Sequence, residues 1–168
     1  MSARFVVMGV AGCGKSTVAA ALALRLGLAF VDGDALHPSA NIEKMSRGVP
    51  LCDDDRWPWL ARVGETLRGG RTVVACSALK RSYRSAIAAQ AGAPVTFLFL
   101  QGDREVLQAR MSARPGHFMP ASLLDSQLAT LEVPDESERC VRADIRRPVD
   151  DLVAGLVKEL EERRWIGS

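Results

Sequence analysis

Five short apolar runs punctuate the chain, and helical patterning fills the stretches between them. The runs are Phe5-Val6-Val7-Met8, Leu28-Ala29-Phe30-Val31, Thr72-Val73-Val74-Ala75-Cys76, Val95-Thr96-Phe97-Leu98-Phe99-Leu100 and a weaker Cys140-Val141-Arg142-Ala143-Asp144. Continuous apolar runs of this length mark strands covered on both faces. Helices are predicted over residues 17–26, 39–47, from 53 to the Gly69-Gly70 stop, 80–89, 105–113, 120–131 and 148–163. Within them, Trp57, Leu60, Ala61, Gly64 and Leu67 share one face, as do Leu152, Val153, Leu156, Val157 and Leu160. Strands alternating with helices predict an α/β fold, a five-stranded parallel sheet with helices on both faces. Ligands are then expected beyond the carboxyl ends of the strands. No linker, repeat or low-complexity segment divides the 168 residues, so one domain is expected.

The first strand runs into Gly9-Val10-Ala11-Gly12-Cys13-Gly14-Lys15-Ser16, with Thr17 next. This satisfies the G-x-x-x-x-G-K-[ST] phosphate-binding pattern, in the strand–loop–helix setting that the pattern requires. Glycines let successive N–H groups turn inward as a nest for phosphate oxygens, and the helix start adds its own donors. Lys15 is expected on the β- and γ-phosphates and the Ser16 hydroxyl on Mg²⁺. The chain is therefore read as binding a nucleoside triphosphate.

Other strand ends carry further polar groups. Asp32 and Asp34 follow the second strand two residues apart, so an extended backbone would point both side chains the same way. A kinase uses one such carboxylate near Mg²⁺ and another on the acceptor hydroxyl, whereas an Asp-Gly turn with a helix cap is the plainer use. His37, Asn41, Lys44 and Arg47 recur at helical spacing, and Ser77, Lys80, Arg81 and Arg84 follow the third strand. Together they outline a pocket for a hydroxylated anion, since a guanidinium there suits a carboxylate. Asp53-Asp54-Asp55 reads as a helix start in favourable dipole contact, not a metal site. Arg110 and Arg114 lie four apart before Pro115-Gly116-His117; they are either surface arginines or cations that close over the triphosphate.

Composition narrows the partners. A net charge of +2 is too small to argue for nucleic acid or a membrane surface, and a small-molecule substrate is expected. The N-terminus runs straight into a strand, leaving no room for a signal peptide, and no apolar run reaches a membrane span, so a cytoplasmic location is expected. Cys13, Cys52, Cys76 and Cys140 lack zinc or disulfide spacing. Cys76 and Cys140 read as inert core, while Cys13 is expected to have a lowered pKa from the loop's donors and to be oxidisable.

The phosphate loop, Asp32-Gly33-Asp34-Ala35-Leu36-His37-Pro38, Asn41-Ile42-Glu43-Lys44-Met45, Ala75 to Arg84, and Gly116-His117-Phe118-Met119-Pro120 with Leu123-Leu124-Asp125-Ser126-Gln127 together resemble the thermoresistant-type gluconokinases. These are P-loop small-molecule kinases similar in fold to shikimate and nucleoside monophosphate kinases. Departures are slight: Cys13 stands where the family often has Ser, and Ala35 where an acidic residue is common. The resemblance implies ATP and Mg²⁺ as cofactors and transfer of the γ-phosphoryl group to the 6-hydroxyl of D-gluconate. It implies an acceptor-binding helical segment at about 35–60 and a lid at about 114–122. Asp34 would orient or deprotonate the hydroxyl, Asp32 would hold magnesium's water shell, and Arg110 and Arg114 would be lid cations. His37, Lys44, Arg47, Ser77, Arg81 and His117 would face the sugar acid, and similar enzymes suggest a homodimer. Rival readings are a shikimate- or nucleoside-type kinase and a non-catalytic nucleotide switch. No aromatic residue lies between Asp32 and Arg56 to stack on a nucleoside.

Overall fold

Alternate residues of the central strands face opposite sides of one sheet, and each side packs its own set of helices. The computed structural model describes residues 3–113 and 121–167. Its strands are β1 (Arg4–Met8), β2 (Ala29–Asp32), β3 (Thr72–Ala75), β4 (Thr96–Gln101) and β5 (Cys140–Asp144), all parallel in the order β2-β3-β1-β4-β5. The described helices are α1 (Lys15–Leu26), α2 (Ser39–Ser46), α3 (Asp53–Leu67), α4 (Arg81–Ala91), α5 (Arg104–Ser112), α6 (Ala121–Thr130) and α7 (Val149–Glu162). The expected fold class stands, with strand limits moved by a residue or so.

On one face, Phe5, Val7, Val73, Ala75, Leu98 and Leu100 pack with Leu22 of α1 and Leu152, Leu156 and Leu160 of α7. On the other, Val6, Met8, Val74, Cys76, Phe97 and Phe99 pack with Leu60, Val63 and Leu67 of α3 and Tyr83 and Ile87 of α4. The middles of the central strands are apolar because both faces are covered; β2 and β5, at the edges, keep exposed and half-exposed positions.

Two local expectations change. The buried stripe of α3 runs through Trp59, Leu60, Val63, Gly64 and Leu67, leaving Trp57 exposed. Pro58 lies one turn inside the helix, where its missing N–H leaves the Asp54 carbonyl without its i+4 donor, yet the helix continues through it. The chain beyond β2 is not extended either: Gly33–Leu36 forms a 3₁₀ turn, so Asp32 and Asp34 do not share a strand face. Asp32 Oδ1 instead accepts the Asp34 backbone N–H at 3.0 Å, capping the turn.

Arg84, expected on a pocket rim, is 2% exposed. Its Nη1 donates to the carbonyls of Ala78 and Leu79 at 2.8 and 3.1 Å, and its Nη2 to the Glu132 carbonyl at 2.9 Å. Nε donates to Glu138 Oε1 at 2.7 Å, completing a fork on that carboxylate. The guanidinium thus straps the segment after α6 to the β3–α4 turn, where Ala78 sits in the left-handed region at φ 46°. Burial alone would raise the Glu138 pKa, but the Arg84 guanidinium wins and holds it below the ordinary range. Replacing Arg84 by Met should lower unfolding stability by about 3 kcal/mol, because it strands a half-buried carboxylate and three carbonyls. Urea unfolding measures this, and an unchanged midpoint would show that the strap does not hold the turn.

Candidate active site

The loop after β1 is shaped by the two strands beside it. Gly9 N–H donates to the Ser77 carbonyl beyond β3 at 3.3 Å. A Cβ on Gly9 would stand 2.8 Å from Cys13 Sγ and 3.0 Å from the Leu100 carbonyl of β4, and its φ of 148° also favours glycine. Further along, Cys13 N–H closes a turn onto the Val10 carbonyl at 3.3 Å. Gly14 caps α1 with φ 87°, and Val18 N–H makes the first helical bond, to the Gly14 carbonyl at 3.0 Å. The N–H groups of Lys15, Ser16 and Thr17 therefore have no partner within the helix, and no acidic residue sits in that first turn. This is an anion site made of backbone, with the helix dipole behind it. Lys15 Nζ donates to the Val10 carbonyl at 3.2 Å, arched back over the loop where phosphates would lie.

Cys13 does not behave as expected. It is buried, and burial raises its thiol pKa more than Lys15 and Arg110 lower it. Cys76 and Cys140 are likewise pushed up by burial, to about 12 and about 11. These three thiols stay protonated at neutral pH.

Asp32 links the loop to the neighbouring turn. Its Oδ2 accepts from Ser16 Oγ at 3.4 Å while Oδ1 holds the Asp34 amide. A hydroxyl and a carboxylate this close, at the mouth of a phosphate nest, suit Mg²⁺, which takes few protein oxygens and completes its shell with water and phosphate. Asp34 itself is exposed at the head of the 3₁₀ turn.

Beyond Asp34 the wall is built from paired groups. His37 stacks on Trp59 with ring centroids 4.1 Å apart, and the Trp59 indole N–H donates to the Gly33 carbonyl at 2.8 Å. Asn41 Nδ2 lies 3.2 Å from His37 Nδ1 and donates to the Asp55 carbonyl at 2.9 Å. Lys44 Nζ bridges both oxygens of Asp55, at 2.9 and 2.8 Å, and this pairing holds the Asp55 pKa down at about 2. Arg56 Nη1 donates to Tyr83 Oη at 3.1 Å, and that hydroxyl donates to Asp53 Oδ1 at 2.5 Å. Lys80 Nζ sits 3.6 Å from the other Asp53 oxygen. The acidic start of α3 thus positions the cations Lys44, Arg56 and Lys80.

The other sequence candidates fall in three places. Arg110 lies beside the loop: its guanidinium would be 3.9 Å from a Cβ on Gly14, and it donates to the Ile145 carbonyl. Arg47 and Arg81 are drawn elsewhere, Arg47 to Glu43 at 3.4 Å and Arg81 to Asp135 at 2.8 Å and Ser137 at 3.0 Å. Ser77 contributes its carbonyl to Gly9. Arg114, His117 and the centre of the expected lid lie outside the described residues. Sequence reasoning missed Arg56, Tyr83 and Trp59, because their meaning rests on contacts across 26 or more residues. An aromatic face does approach this pocket, but His37 already covers it.

A phosphate nest at the carboxyl end of β1, with Asp32 ending the next strand in sequence and Asp34 in the turn after it, defines a P-loop small-molecule kinase. A family model described as an AAA domain matches residues 5–134. The gluconokinase of Gluconobacter oxydans is 49% identical over 161 residues, covering 93% of this chain and 90% of that protein. The crystal structure of a gluconokinase from Sinorhizobium meliloti superposes with a TM-score of 0.88 at 50% identity, covering 98% and 97% of the two chains. Shikimate kinase from Aquifex aeolicus shares the fold alone, with a TM-score of 0.62 at 16% identity. The chain belongs to the gluconokinase family, whose P-loop kinase relatives use ATP. No described helix is long and apolar enough to cross a membrane.

His37 titrates below its ordinary value, chiefly because burial disfavours the imidazolium; Asp34 opposes this shift and Arg56 adds to it. The unfolded chain therefore binds this proton more readily than the folded one. The linked stability is complete above about pH 6.5 and declines as the pH falls through the depressed folded value. The chain has 2 histidines, so NMR titration can assign the ring by substitution. The midpoint should lie below 6.5, and His37→Gln should flatten the fall in melting temperature between about pH 7 and pH 5. A midpoint above that value would contradict the neutral, buried ring.

Proposed function

We propose that this chain transfers the γ-phosphoryl group of ATP to the 6-hydroxyl of D-gluconate, giving 6-phosphogluconate and ADP. The observation that carries the reading is the double role of Asp32. One oxygen meets Ser16 at the nucleotide loop and the other fixes the amide of Asp34, so donor and acceptor sites share one carboxylate.

The N–H groups at the start of α1 would hold the phosphates, and Lys15 would exchange the Val10 carbonyl for the β- and γ-phosphates. Ser16 and Asp32 would hold Mg²⁺, which neutralises charge between the β- and γ-phosphates when bound. Asp34 would orient the acceptor hydroxyl and take its proton as the new P–O bond forms and the bond to ADP breaks. Arg110, beside Gly14, would balance charge on the transferring group, with Arg114 as a second cation from the lid. Arg56, Lys44 and Lys80 form a cationic wall for a carboxylate, and neutral His37 and Asn41 offer hydrogen bonds to hydroxyls. Arg47, Ser77, Arg81 and His117 remain outer candidates for the same molecule. We further propose one domain over residues 1–168, with an acceptor segment near 35–60 and a lid near 114–122, acting in the cytoplasm as a homodimer.

ADP release coupled to an optical readout, with Mg²⁺-ATP and D-gluconate, shikimate, other aldonic acids or nucleosides, tests the reading. Saturable release with gluconate supports it; silence with every acceptor despite ATP binding overturns it. Asp34→Asn should keep ATP affinity and reduce kcat about a hundredfold or more, the scale of a lost general base. An unchanged kcat would remove Asp34 from the chemistry.

A further inference from the structure

Gln127 is the last residue of a motif already noted, and the reaction leaves it without a task. It lies on α6, with 116 residues of sequence separating it from the phosphate loop, yet Ala11 N–H donates to its Oε1 at 2.6 Å. A backbone N–H can only donate, so the amide oxygen of Gln127 is the atom that faces the loop. The helix behind it is anchored: Leu124 is fully buried in the core that also holds Val10, Leu107 and Met111. Arg104 Nε and Nη2 hold both oxygens of Asp125 at 2.6 and 3.1 Å, and Glu132 N–H reaches the Leu79 carbonyl at 2.8 Å. Gln127 is thus presented from a fixed base.

We propose that Gln127 is a positioning residue that pre-sets the phosphate loop for the nucleotide. The loop before Gly14 has three pinned amides: Gly9 on Ser77, Ala11 on Gln127 and Cys13 on Val10. Ala11 is the middle one, and its peptide plane decides whether the chain enters Gly12 with the following amides turned toward the nest. Holding that plane before the ligand arrives removes an ordering step from phosphate binding. Without the side-chain oxygen, Ala11 N–H is left half-buried and unpaired, and the loop turns out of its pre-set shape to bring it to water.

This inference rests on the kinase reading only for the presence of a nucleotide, so it is tested by ADP binding with no acceptor present. Gln127→Met keeps the length and volume of the side chain and deletes the oxygen. Isothermal calorimetry should show ADP affinity falling about tenfold, the scale of one lost hydrogen bond to a half-buried donor. Hydrogen exchange at the Ala11 amide should quicken, and the KM for the phosphoryl acceptor should stay within about twofold. Thr130→Ala, which removes an exposed hydrogen bond to the Ser126 carbonyl within α6 but neither an anchor of the helix nor a loop contact, should leave ADP affinity unchanged. If the methionine variant does not fold, Gln127→Asn, whose amide stops one methylene short, takes its place. Unchanged ADP affinity in the Gln127 variant, or an equal loss in Thr130→Ala, would overturn the proposal.

Discussion

Everything in this structure turns on keeping side chains out of one loop. Phosphate is to be met by main-chain N–H groups, so the chain between β1 and α1 must curl without a Cβ at Gly9. That curl is held from two sides, by the Ser77 carbonyl beyond β3 and by Gln127 on α6, and the Leu100 carbonyl of β4 leaves no room for a Cβ at Gly9. The strand order β2-β3-β1-β4-β5 is what makes such a grip available, because it puts β1 between β3 and β4. The two apolar layers fix those three strands against α1, α3, α4 and α7, and through them they fix the loop.

Charge in the acceptor pocket is arranged by the same logic of prior restraint. Lys44 answers Asp55, while Arg56, Tyr83, Asp53 and Lys80 form a linked chain. A long cationic side chain that is already held loses less freedom when an anion arrives than one waving in water. The carboxylates that open α3 therefore cap their helix and aim the cations above it.

The sheet, its helices and the glycine loop were legible because strand runs and helical periodicities report burial, and burial decides architecture. Individual side-chain roles were less so. Periodicity put Trp57 inside and left Trp59 without chemistry, yet it is Trp59 that packs on His37 and holds Gly33. Strand alternation aligned Asp32 with Asp34, but the 3₁₀ turn makes one cap the other. Arg84 looked like a rim cation because arginines usually are; its five donors instead found oxygens supplied largely from residues 132–138. Cys13 was judged by the loop's positive donors, and burial outweighed them. Apart from the Asp32–Asp34 turn, where a local cap overrides extended backbone, each miss concerns surroundings supplied by residues distant in sequence, which a local pattern does not contain.

The order of synthesis gives the strap and the pinned loop another meaning. The phosphate-binding signature is made before the segments that brace it: β1 stays without its sheet neighbours until residues 72–75 and 96–101 have followed. Its loop lacks its last restraint until residue 127 is made, and the β3–α4 turn waits for residue 138. A growing chain that already carries the whole motif is therefore still a poor host for nucleotide. The loop precedes in sequence the strands and the helix that brace it, so its signature is complete well before its shape is.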